Sequence, residues 1–243
     1  MKAFILAAGL GSRLGNYTTD KPKALVCLNG KEILGLLINK LIKYGFDQFL
    51  INIHHHGQQI IDYLEKNDHF GAQIQISDER SELLDTGGAI LKARHFFQGT
   101  EPVLVHNVDI ISEVNLKTVQ LYHTKNDALV TLCVRERNTD RKLIFNKKMI
   151  LEGWANKKSG EIKWVGSPSA NHHSFAFSGL YFAAPQMPDL IESTGKFSII
   201  DTWLALAKSN LIKGYLDGSE NWFDLGTPER LNLAEKYLST HGL

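Results

Sequence analysis

The sequence predicts an α/β fold: a mostly parallel sheet flanked by helices, with a small β-rich lobe inserted in the second half of the chain. Two patterns support this prediction. Up to residue 127, short apolar runs alternate with longer segments whose apolar residues recur at helical spacing. Beyond that point, the helical segments give way to short strands joined by polar turns. Alternating strands and helices favour right-handed crossovers, and these produce parallel sheets.

The first half supplies the strands and helices of the predicted parallel sheet. Its clearest helix covers residues 32–44, where Leu34, Leu37 and Leu41 fall on one face. Ligands of such sheets bind beyond the carboxyl ends of the strands, so functional residues are expected in the loops that follow them. The predicted strands are 4–7, 49–53, 74–76 and 102–105, and the predicted helices are 32–44, 58–66 and 87–97.

The second half is predicted to carry the β-rich lobe and then two helices. Residues 157–160 (KKSG) are a turn signal between two of its strands. No Pro- or Ser-rich linker precedes the lobe, so one domain is expected, with the parallel sheet in its first half (1–127) and the β-rich lobe in its second half (128–243). The predicted strands are 128–134, 142–145, 150–154, 162–165 and 175–182, and the predicted helices are 199–208 and 228–238.

The composition argues against several classes of partner. The 243 residues include 27 Lys and Arg and 26 Asp and Glu, a formal net charge of +1. This balance gives no electrostatic attraction to nucleic acid or to a membrane surface. The first apolar run, residues 3–8, is too short for the core of a signal peptide, and no segment approaches the roughly 20 apolar residues of a membrane helix. We therefore expect a cytoplasmic protein, monomeric or weakly dimeric, with Cys27 and Cys133 as free thiols.

A glycine-rich loop, residues 7–13 (AAGLGSR), follows the first predicted strand directly. Glycines let backbone N–H groups approach a phosphate without a Cβ in the way. A dinucleotide-binding fingerprint does not fit, because Leu14 stands where its third glycine is required. A Walker loop does not fit either, because no Gly-Lys-Ser/Thr is present. The loop alone leaves open a tight strand-to-helix turn without a ligand.

Basic residues in and after this loop indicate a polyphosphate ligand. Arg13 lies within the loop, and Lys23 follows in the segment 21–26 (KPKALV). An arginine guanidinium can bind two phosphate oxygens at once, whereas a lysine offers a mobile point charge. Together with the glycines, the two side chains predict one pocket for a nucleoside triphosphate.

These two segments together resemble the signature of the nucleoside-diphosphate-sugar pyrophosphorylases, the sugar-1-phosphate nucleotidyltransferases. Residues 6–13 match the family pattern L-A-A-G-x-G-x-R, and residues 21–25 match K-P-K-x-L. The resemblance extends over nearly the whole chain and implies a nucleotide-binding half (1–127) and a sugar-binding half (128–243). It implies a Rossmann-like, GT-A-like nucleotidyltransferase fold and an enzyme that transfers NMP from an NTP to a sugar 1-phosphate. The products would be an NDP-sugar and pyrophosphate, and the implied cofactor is Mg²⁺.

The resemblance also implies a metal site made from two aspartates that are distant in sequence. Residues 107–109 (NVD) are similar to the family's N-G-D at the end of a strand, and residues 222–227 (WFDLGT) resemble its W-x-D-x-G-T. Mg²⁺ prefers oxygen ligands and is usually held by one or two carboxylates together with phosphates. Asp109 and Asp224 are therefore the expected metal ligands.

Further residues receive roles from the same resemblance. Residues 84–90 (LDTGGAI) resemble the base-binding loop, and residues 177–180 (FSGL) resemble the segment that lines the sugar pocket. Arg13 and Lys23 are the expected catalytic residues, with Arg13 neutralising the leaving pyrophosphate and Lys23 the α-phosphate or the incoming phosphate. The expected nucleotide-binding residues are Leu6, Ala8, Gly9, Gly11, Gly87, Gly88 and Asn107, and the expected sugar-binding residues are Ser178, Gly179 and Trp222.

Departures from the family pattern bear on the identity of the substrates. Val108 replaces the usual glycine of N-G-D, and the segment 154–173 is unlike that of the shortest relatives. UTP and an N-acylated hexosamine 1-phosphate are the expected substrates. The alternatives are a GTP-dependent mannose or heptose 1-phosphate guanylyltransferase, a choline-phosphate cytidylyltransferase, and a non-catalytic regulatory protein that binds nucleotide sugars. The histidines at 54–56 are interpreted as a solvated strand exit, because consecutive strand residues point to opposite faces and cannot easily hold one ion.

Overall fold

The computed structural model describes residues 1–241, and the strands predicted for the parallel sheet are all present. Their ends differ from the prediction by a few residues. The strands are β1 (Lys2–Leu6), β2 (Cys27–Leu28), β3 (Lys31–Glu32), β4 (Gln48–Ile53), β5 (Gln73–Asp78), β6 (Val103–Asn107), β7 (Ile110–Ser112), β8 (Val130–Arg135), β9 (Arg141–Asn146), β10 (Leu151–Asn156), β11 (Glu161–Trp164), β12 (His172–Ala183), β13 (Ile212–Leu216) and β14 (Trp222–Asp224).

The helices follow the amphipathic segments, and their ends have identifiable causes. The first helix stops just before Gly45, whose φ of 90° lies in the left-handed region that ends helices. The last begins at Pro228, a residue favoured at the first helical position. Within residues 1–241, no helix is both long enough and apolar enough to cross a membrane. The helices are α1 (Ile33–Lys43), α2 (Gly57–Lys66), α3 (Asp85–Lys92), α4 (Leu116–Lys125), α5 (Ile199–Leu206) and α6 (Pro228–His241).

The chain divides into two compact units, each assembled from separate stretches of sequence. The first unit comprises residues 1–83, 105–113 and the described residues from 219 onward. The second unit comprises residues 84–104 and 114–218. The first unit therefore contains both the N-terminal glycine loop and the C-terminal WFDLGT segment.

A parallel sheet forms the centre of the first unit. β1 pairs with β4 and β4 with β5, both in parallel, and the strand order is β6, β1, β4, β5. Phe4 of β1 and Phe49 of β4 are completely buried, as expected for strands covered on both faces. Leu6 is the register partner of Asn52, so β1 and β4 end at the same edge of the sheet. The predicted mostly parallel sheet with flanking helices is confirmed in this unit.

A short antiparallel pair of strands joins two distant parts of the same unit. β7 and β14 place Asp224 opposite Ile110. Immediately beyond this pair, the backbone N–H of Leu225 donates a 2.9 Å hydrogen bond to the carbonyl oxygen of Asp109. The two aspartates predicted as metal ligands are therefore connected through their backbones.

The second unit is built around β12 and contains the predicted β-rich segment. β12 pairs antiparallel with β8 and β9, β9 with β10, and β10 with β11, while β13 joins β8 in parallel. The register between β12 and β8 shifts between Phe177 and Tyr181. Irregularities of this kind bend a strand and redirect its side chains. The shift lies at the segment predicted to line a sugar pocket.

Some elements were not predicted, and their sequences explain why. α4 has only a sparse apolar stripe, Leu116 and Val119, joined by the buried His123. Its start is fixed instead by Asn115, whose side chain accepts a 3.1 Å hydrogen bond from the backbone N–H of Thr118. The strands β7 and β14 have three residues each, too few for an alternating pattern to be recognised.

Candidate active site

The glycine loop after β1 contains two glycines that differ in what the fold requires. Gly11 has a φ of 66°, and a Cβ added there would lie 3.0 Å from Thr18 Cγ2 and 3.2 Å from Lys23 Cβ. Gly9 is exposed, its φ is not positive, and a Cβ added there would have no heavy atom within 4 Å. The fold therefore needs glycine at position 11 but not at position 9. Close approach of a ligand to the backbone is a separate reason for glycine at position 9.

Lys23 and Asp109, distant in sequence, form an ion pair beside this loop. Lys23 begins a short 3₁₀ turn, Lys23–Leu25, and is only 7% exposed. Its Nζ contacts Asp109 Oδ2. Asp109 is brought there by the end of β6, since the backbone N–H of Val108 donates a 3.1 Å hydrogen bond to the carbonyl oxygen of Leu6. The predicted catalytic lysine and the first predicted metal ligand are therefore in direct contact.

Asp224, the second predicted metal ligand, has one paired and one unpaired carboxylate oxygen. Oδ2 accepts a 2.7 Å hydrogen bond from Arg230 Nη1 on α6. Oδ1 is buried and has no hydrogen-bond partner among residues 1–241. Because leaving a buried acceptor unsatisfied is costly, such an oxygen suits a bound cation.

The residues present fit a magnesium ion held partly by a substrate. Residues 1–241 contain no group of three or more His, Cys, Asp or Glu side chains able to hold a metal. Proteins usually bind Mg²⁺ through one or two carboxylates, and substrate phosphates complete the coordination. Asp109 and Asp224 provide two carboxylates, and the buried Oδ1 of Asp224 is available to a cation. The donor set is thus suited to a metal that arrives with a phosphate-bearing substrate rather than to a closed structural site.

Arg13 extends the glycine loop toward the WFDLGT segment. A Cβ added at Gly226 would lie 2.9 Å from Arg13 Nη2 and 2.8 Å from Asp224 Oδ1. The absence of a side chain at position 226 therefore leaves room for both groups. Arg13 itself is exposed, so its guanidinium is accessible to a ligand. Arg13, Lys23, Asp109 and Asp224 all belong to the first unit.

A buried polar pair, not predicted from the sequence, supports the start of the glycine loop. Asn52 is 3% exposed, and its Oδ1 accepts hydrogen bonds from the backbone N–H of Ala7 (2.7 Å) and Ala8 (3.2 Å). Its Nδ2 donates a 2.8 Å hydrogen bond to Oε1 of Glu79, which is 1% exposed. The sequence signal was a single amide inside the apolar run of residues 49–53.

The histidines at 54–56 and at 106 do not form a metal cluster in the part of the chain that the structure describes. His106 is fully buried, and burial, followed by the nearby charge of Lys40, lowers the pKa of His106 to about 3, so His106 is neutral near pH 7. The interpretation of residues 54–56 as a solvated strand exit holds for His55, which is exposed, but not for the other two histidines. His54 is half-buried with Nδ1 2.7 Å from the carbonyl oxygen of Glu79, and the Nε2 atom of His56 is buried.

The predicted base-binding glycines lie in the second unit, packed against residues 195–197. A Cβ added at Gly87 would overlap the ring of Phe197, and one at Gly88 would overlap the carbonyl oxygen of Gly195. The backbone N–H of Gly87 also donates a 2.9 Å hydrogen bond to the carbonyl oxygen of Phe197. The packing of this segment alone accounts for glycine at both positions.

The residues predicted to bind sugar lie in different units. Ser178 and Gly179 belong to the second unit and are buried at the register shift of β12, where Gly179 has a φ of 84°. Trp222 belongs to the first unit, is half-buried, and lies two residues before Asp224 on β14. Since side chains alternate along a strand, Trp222 and Asp224 share a face. Asn107, predicted to bind nucleotide, is half-buried at the end of β6.

Comparison with known proteins gives a family match and full-length relatives. Residues 2–240 match the family model described as nucleotidyl transferase. N-acetylmuramate alpha-1-phosphate uridylyltransferase of Caulobacter vibrioides is 27% identical over 250 residues, covering 98% of this chain and 96% of that protein. The catalytic subunit beta of mannose-1-phosphate guanylyltransferase from Dictyostelium discoideum is 27% identical over 234 residues, covering 94% of this chain and 62% of that protein.

A solved structure shows the same fold. HddC from Yersinia pseudotuberculosis, in complex with GMP-PN, superposes with a TM-score of 0.77 over 98% of this chain and 99% of that chain, at 23% sequence identity. The family resemblance drawn from residues 6–13 and 21–25, and the fold expected from it, are confirmed. With the match spanning residues 2–240, the chain belongs to the nucleotidyl transferase family.

Proposed function

We propose that this protein transfers a nucleoside monophosphate from an NTP to a sugar 1-phosphate, with release of pyrophosphate. The observation that carries the proposal is the group formed by Arg13, the Lys23–Asp109 ion pair and Asp224 in the first unit, next to the glycine loop. Two cations and two carboxylates at the end of β1 suit a substrate with several phosphates and a bound metal. A regulatory protein would not need all four charged groups.

The proposed reaction is an in-line displacement at the α-phosphorus. A phosphate oxygen of the sugar 1-phosphate forms the new bond, and the bond from the α-phosphorus to the bridging oxygen breaks, so that pyrophosphate leaves with the electron pair. Such transfers depend on positioning and charge neutralisation rather than on a covalent nucleophile. Arg13 would neutralise the leaving pyrophosphate, and Lys23 the α-phosphate or the incoming phosphate.

Asp109 and Asp224 are the residues that would hold Mg²⁺. When bound, Mg²⁺ would neutralise phosphate charge and orient the phosphate groups. Lys23 and Arg230 provide the counter-charges of the two carboxylates. Asp224 Oδ1 is buried and has no hydrogen-bond partner among the described residues, so it is the oxygen best suited to the metal.

For the substrates we propose UTP and an N-acylated hexosamine 1-phosphate. The Caulobacter relative, similar along nearly its whole length, is a uridylyltransferase for N-acetylmuramate 1-phosphate, which supports this choice. The second candidate is GTP with mannose 1-phosphate, supported by the Dictyostelium guanylyltransferase at the same identity. The proposed contacts to the base are Gly87 and Gly88. The proposed contacts to the sugar are Ser178, Gly179 and Trp222.

A substrate screen tests the proposal directly. Each of the four NTPs is combined with each member of a panel of acceptors, made up of sugar 1-phosphates and choline phosphate, and pyrophosphate release is measured. We expect the highest kcat/KM with UTP and N-acetylmuramate 1-phosphate. A higher value with GTP and mannose 1-phosphate would replace the proposed substrates with the second candidate. Tight binding of nucleotide sugars without any pyrophosphate release would instead establish the non-catalytic alternative.

Substitution of Gly9 by alanine is expected to raise the KM for the NTP by about tenfold or more, which corresponds to about 1.4 kcal/mol of binding free energy. The fold has open space for a methyl group at this position, so the melting temperature should not change. The expected effect on KM comes from a Cβ between the backbone and the phosphates. KM values and thermal unfolding curves are the measurements.

Gly166→Ala is the matched control for this substitution. Gly166 is also exposed, lies in the second unit, and has no heavy atom within 4 Å of an added Cβ. Both kinetics and stability should stay at wild-type values. An unchanged KM in folded Gly9→Ala protein would show that phosphates do not approach the loop at this residue.

A further inference from the structure

Asn52 is a buried amide in a strand whose other residues are apolar. The residues of β4 from Phe49 to Ile53 are all buried, and Asn52 alone among them has a polar side chain. Burying an amide is unfavourable unless its hydrogen bonds are satisfied. Its Oδ1 accepts from the N–H groups of Ala7 and Ala8, at the point where β1 ends and the glycine loop begins.

Glu79 fixes the orientation of the Asn52 amide. With Oδ1 turned toward the loop, Nδ2 donates to Glu79 Oε1 at 2.8 Å. Turning the amide by 180° would place Oδ1 against the glutamate and the NH₂ group against two backbone donors, so only one orientation satisfies both sides. Glu79 is held next to β4, because its backbone N–H donates a 2.8 Å hydrogen bond to the carbonyl oxygen of Ile53.

We infer that Asn52 and Glu79 form a positioning pair that sets the glycine loop, and through it Lys23, for binding the NTP. The inference rests on the proposed function. Because Asn52 accepts hydrogen bonds from the N–H groups of Ala7 and Ala8, it fixes the backbone at the start of the glycine loop, and the N–H of Ala8, a residue expected to bind nucleotide, is already paired within the protein. Neither Asn52 nor Glu79 touches substrate in this account; both act through the backbone.

The position of the loop is transmitted to Lys23 by close packing. A Cβ at Gly11 would lie 3.2 Å from Lys23 Cβ, so the loop and the start of the 3₁₀ turn are in near contact. The hydroxyl of Thr18 donates a 3.1 Å hydrogen bond to the carbonyl oxygen of Gly11 and holds the same segment. A shift of the loop at Ala7 and Ala8 would therefore move the backbone of the glycine loop and, with it, Lys23. Small displacements of positioning groups are costly for catalysis.

A polarity exchange tests the pair. In Asn52→Asp, one carboxylate oxygen still accepts from the loop, but the other faces the Glu79 oxygen, so two acceptors oppose each other. In the double variant Asn52→Asp/Glu79→Gln, the glutamine NH₂ can donate to the aspartate oxygen that faces it, which restores the hydrogen bond between the two side chains. The double variant also has the same total charge as the wild type. The single variant Glu79→Gln keeps an acceptor for Asn52 Nδ2 and is the conservative control.

The readouts are equilibrium binding of UTP, the two KM values, and thermal unfolding. We expect Asn52→Asp to weaken UTP binding and to raise the KM for UTP by about tenfold or more. A tenfold change corresponds to about 1.4 kcal/mol of binding free energy. The KM for the sugar 1-phosphate should change less than the KM for UTP, and the double variant should recover most of the UTP affinity. A pair that only stabilised the fold would lower the melting temperature of Asn52→Asp and leave UTP affinity per folded molecule unchanged.

The outcomes separate this inference from the proposed function. If wild-type protein binds UTP but transfers it to none of the sugar phosphates, the proposed function fails while the binding comparison still tests the pair. If wild-type protein is active and Asn52→Asp binds UTP as tightly as wild type, the inference is wrong. It is also wrong if the double variant binds UTP no better than Asn52→Asp.

Discussion

Asp109→Asn is expected to lower kcat/KM by at least about a hundredfold, the usual size of losing one charge-stabilising group in an active site. Stability should change little. The asparagine Oδ1 can still accept a hydrogen bond from Lys23 Nζ, so the buried ammonium group keeps a partner. What is lost is the negative charge that would hold Mg²⁺. Steady-state kinetics across Mg²⁺ concentrations, together with thermal unfolding, provide the measurement.

Asp109→Ala is a less informative substitution than Asp109→Asn. Alanine would leave the nearly buried Lys23 without the carboxylate that it contacts, so a loss of activity would not be separated from a loss of stability. Removing the carboxylate would leave a nearly buried charged donor unsatisfied, at a cost of about 3 kcal/mol or more. Asp62→Asn, on the exposed face of α2, is the matched control and should keep full activity. Near-normal turnover in folded Asp109→Asn protein would contradict the metal assignment.

The parallel part of the fold was predictable because its strands carry the necessary information locally. β1 is apolar after Lys2, β4 is apolar apart from Gln48 and Asn52, and the helix between them has a clear apolar stripe. The pairing of β7 with β14 depends instead on contacts between residues distant in the chain, over three-residue strands. No local pattern specifies such a pair, although it is this pair that brings Asp224 to Asp109.

The identities of the charged site residues were predictable, but their electrostatic partners were not. Arg13 and Lys23 stand in a recognisable pattern, whereas nothing in the sequence indicates that Lys23 is nearly buried against Asp109. Arg230 has no distinguishing sequence signal, because an arginine on a helix is common, and only the fold places its Nη1 2.7 Å from Asp224 Oδ2. Contacts between residues far apart in the chain determine these pairings.

Glycines show the limit of sequence interpretation most clearly. Gly9 and Gly87 look alike in the sequence, and both stand in segments expected to bind nucleotide. In the structure, a side chain at Gly87 would overlap Phe197, whereas a side chain at Gly9 would meet nothing. Packing within the protein therefore explains the glycine at position 87 but not the glycine at position 9. Only the folded structure distinguishes these two reasons for a glycine.

Arg13→Ala and Lys23→Met are each expected to slow the single-turnover transfer step by at least about a hundredfold, because each removes a cation placed to meet phosphate charge. Their effects on stability should differ. Arg13 is exposed, so its loss should leave the melting temperature unchanged. Lys23→Met keeps the buried apolar part of the side chain but leaves Asp109 without its cation, so the melting temperature should fall.

Rapid-quench measurement with saturating UTP separates the transfer step from binding. Lys31→Ala, an exposed lysine on β3, removes one positive charge from the same unit and should retain the wild-type rate. Arg13→Lys keeps the charge without the planar donor arrangement and should fall between wild type and Arg13→Ala. If both Arg13→Ala and Lys23→Met stayed within about threefold of the wild-type rate, each group would supply less than about 1 kcal/mol of barrier lowering. The phosphate-binding role would then be wrong for both, because a cation in contact with the reacting phosphates has a larger effect.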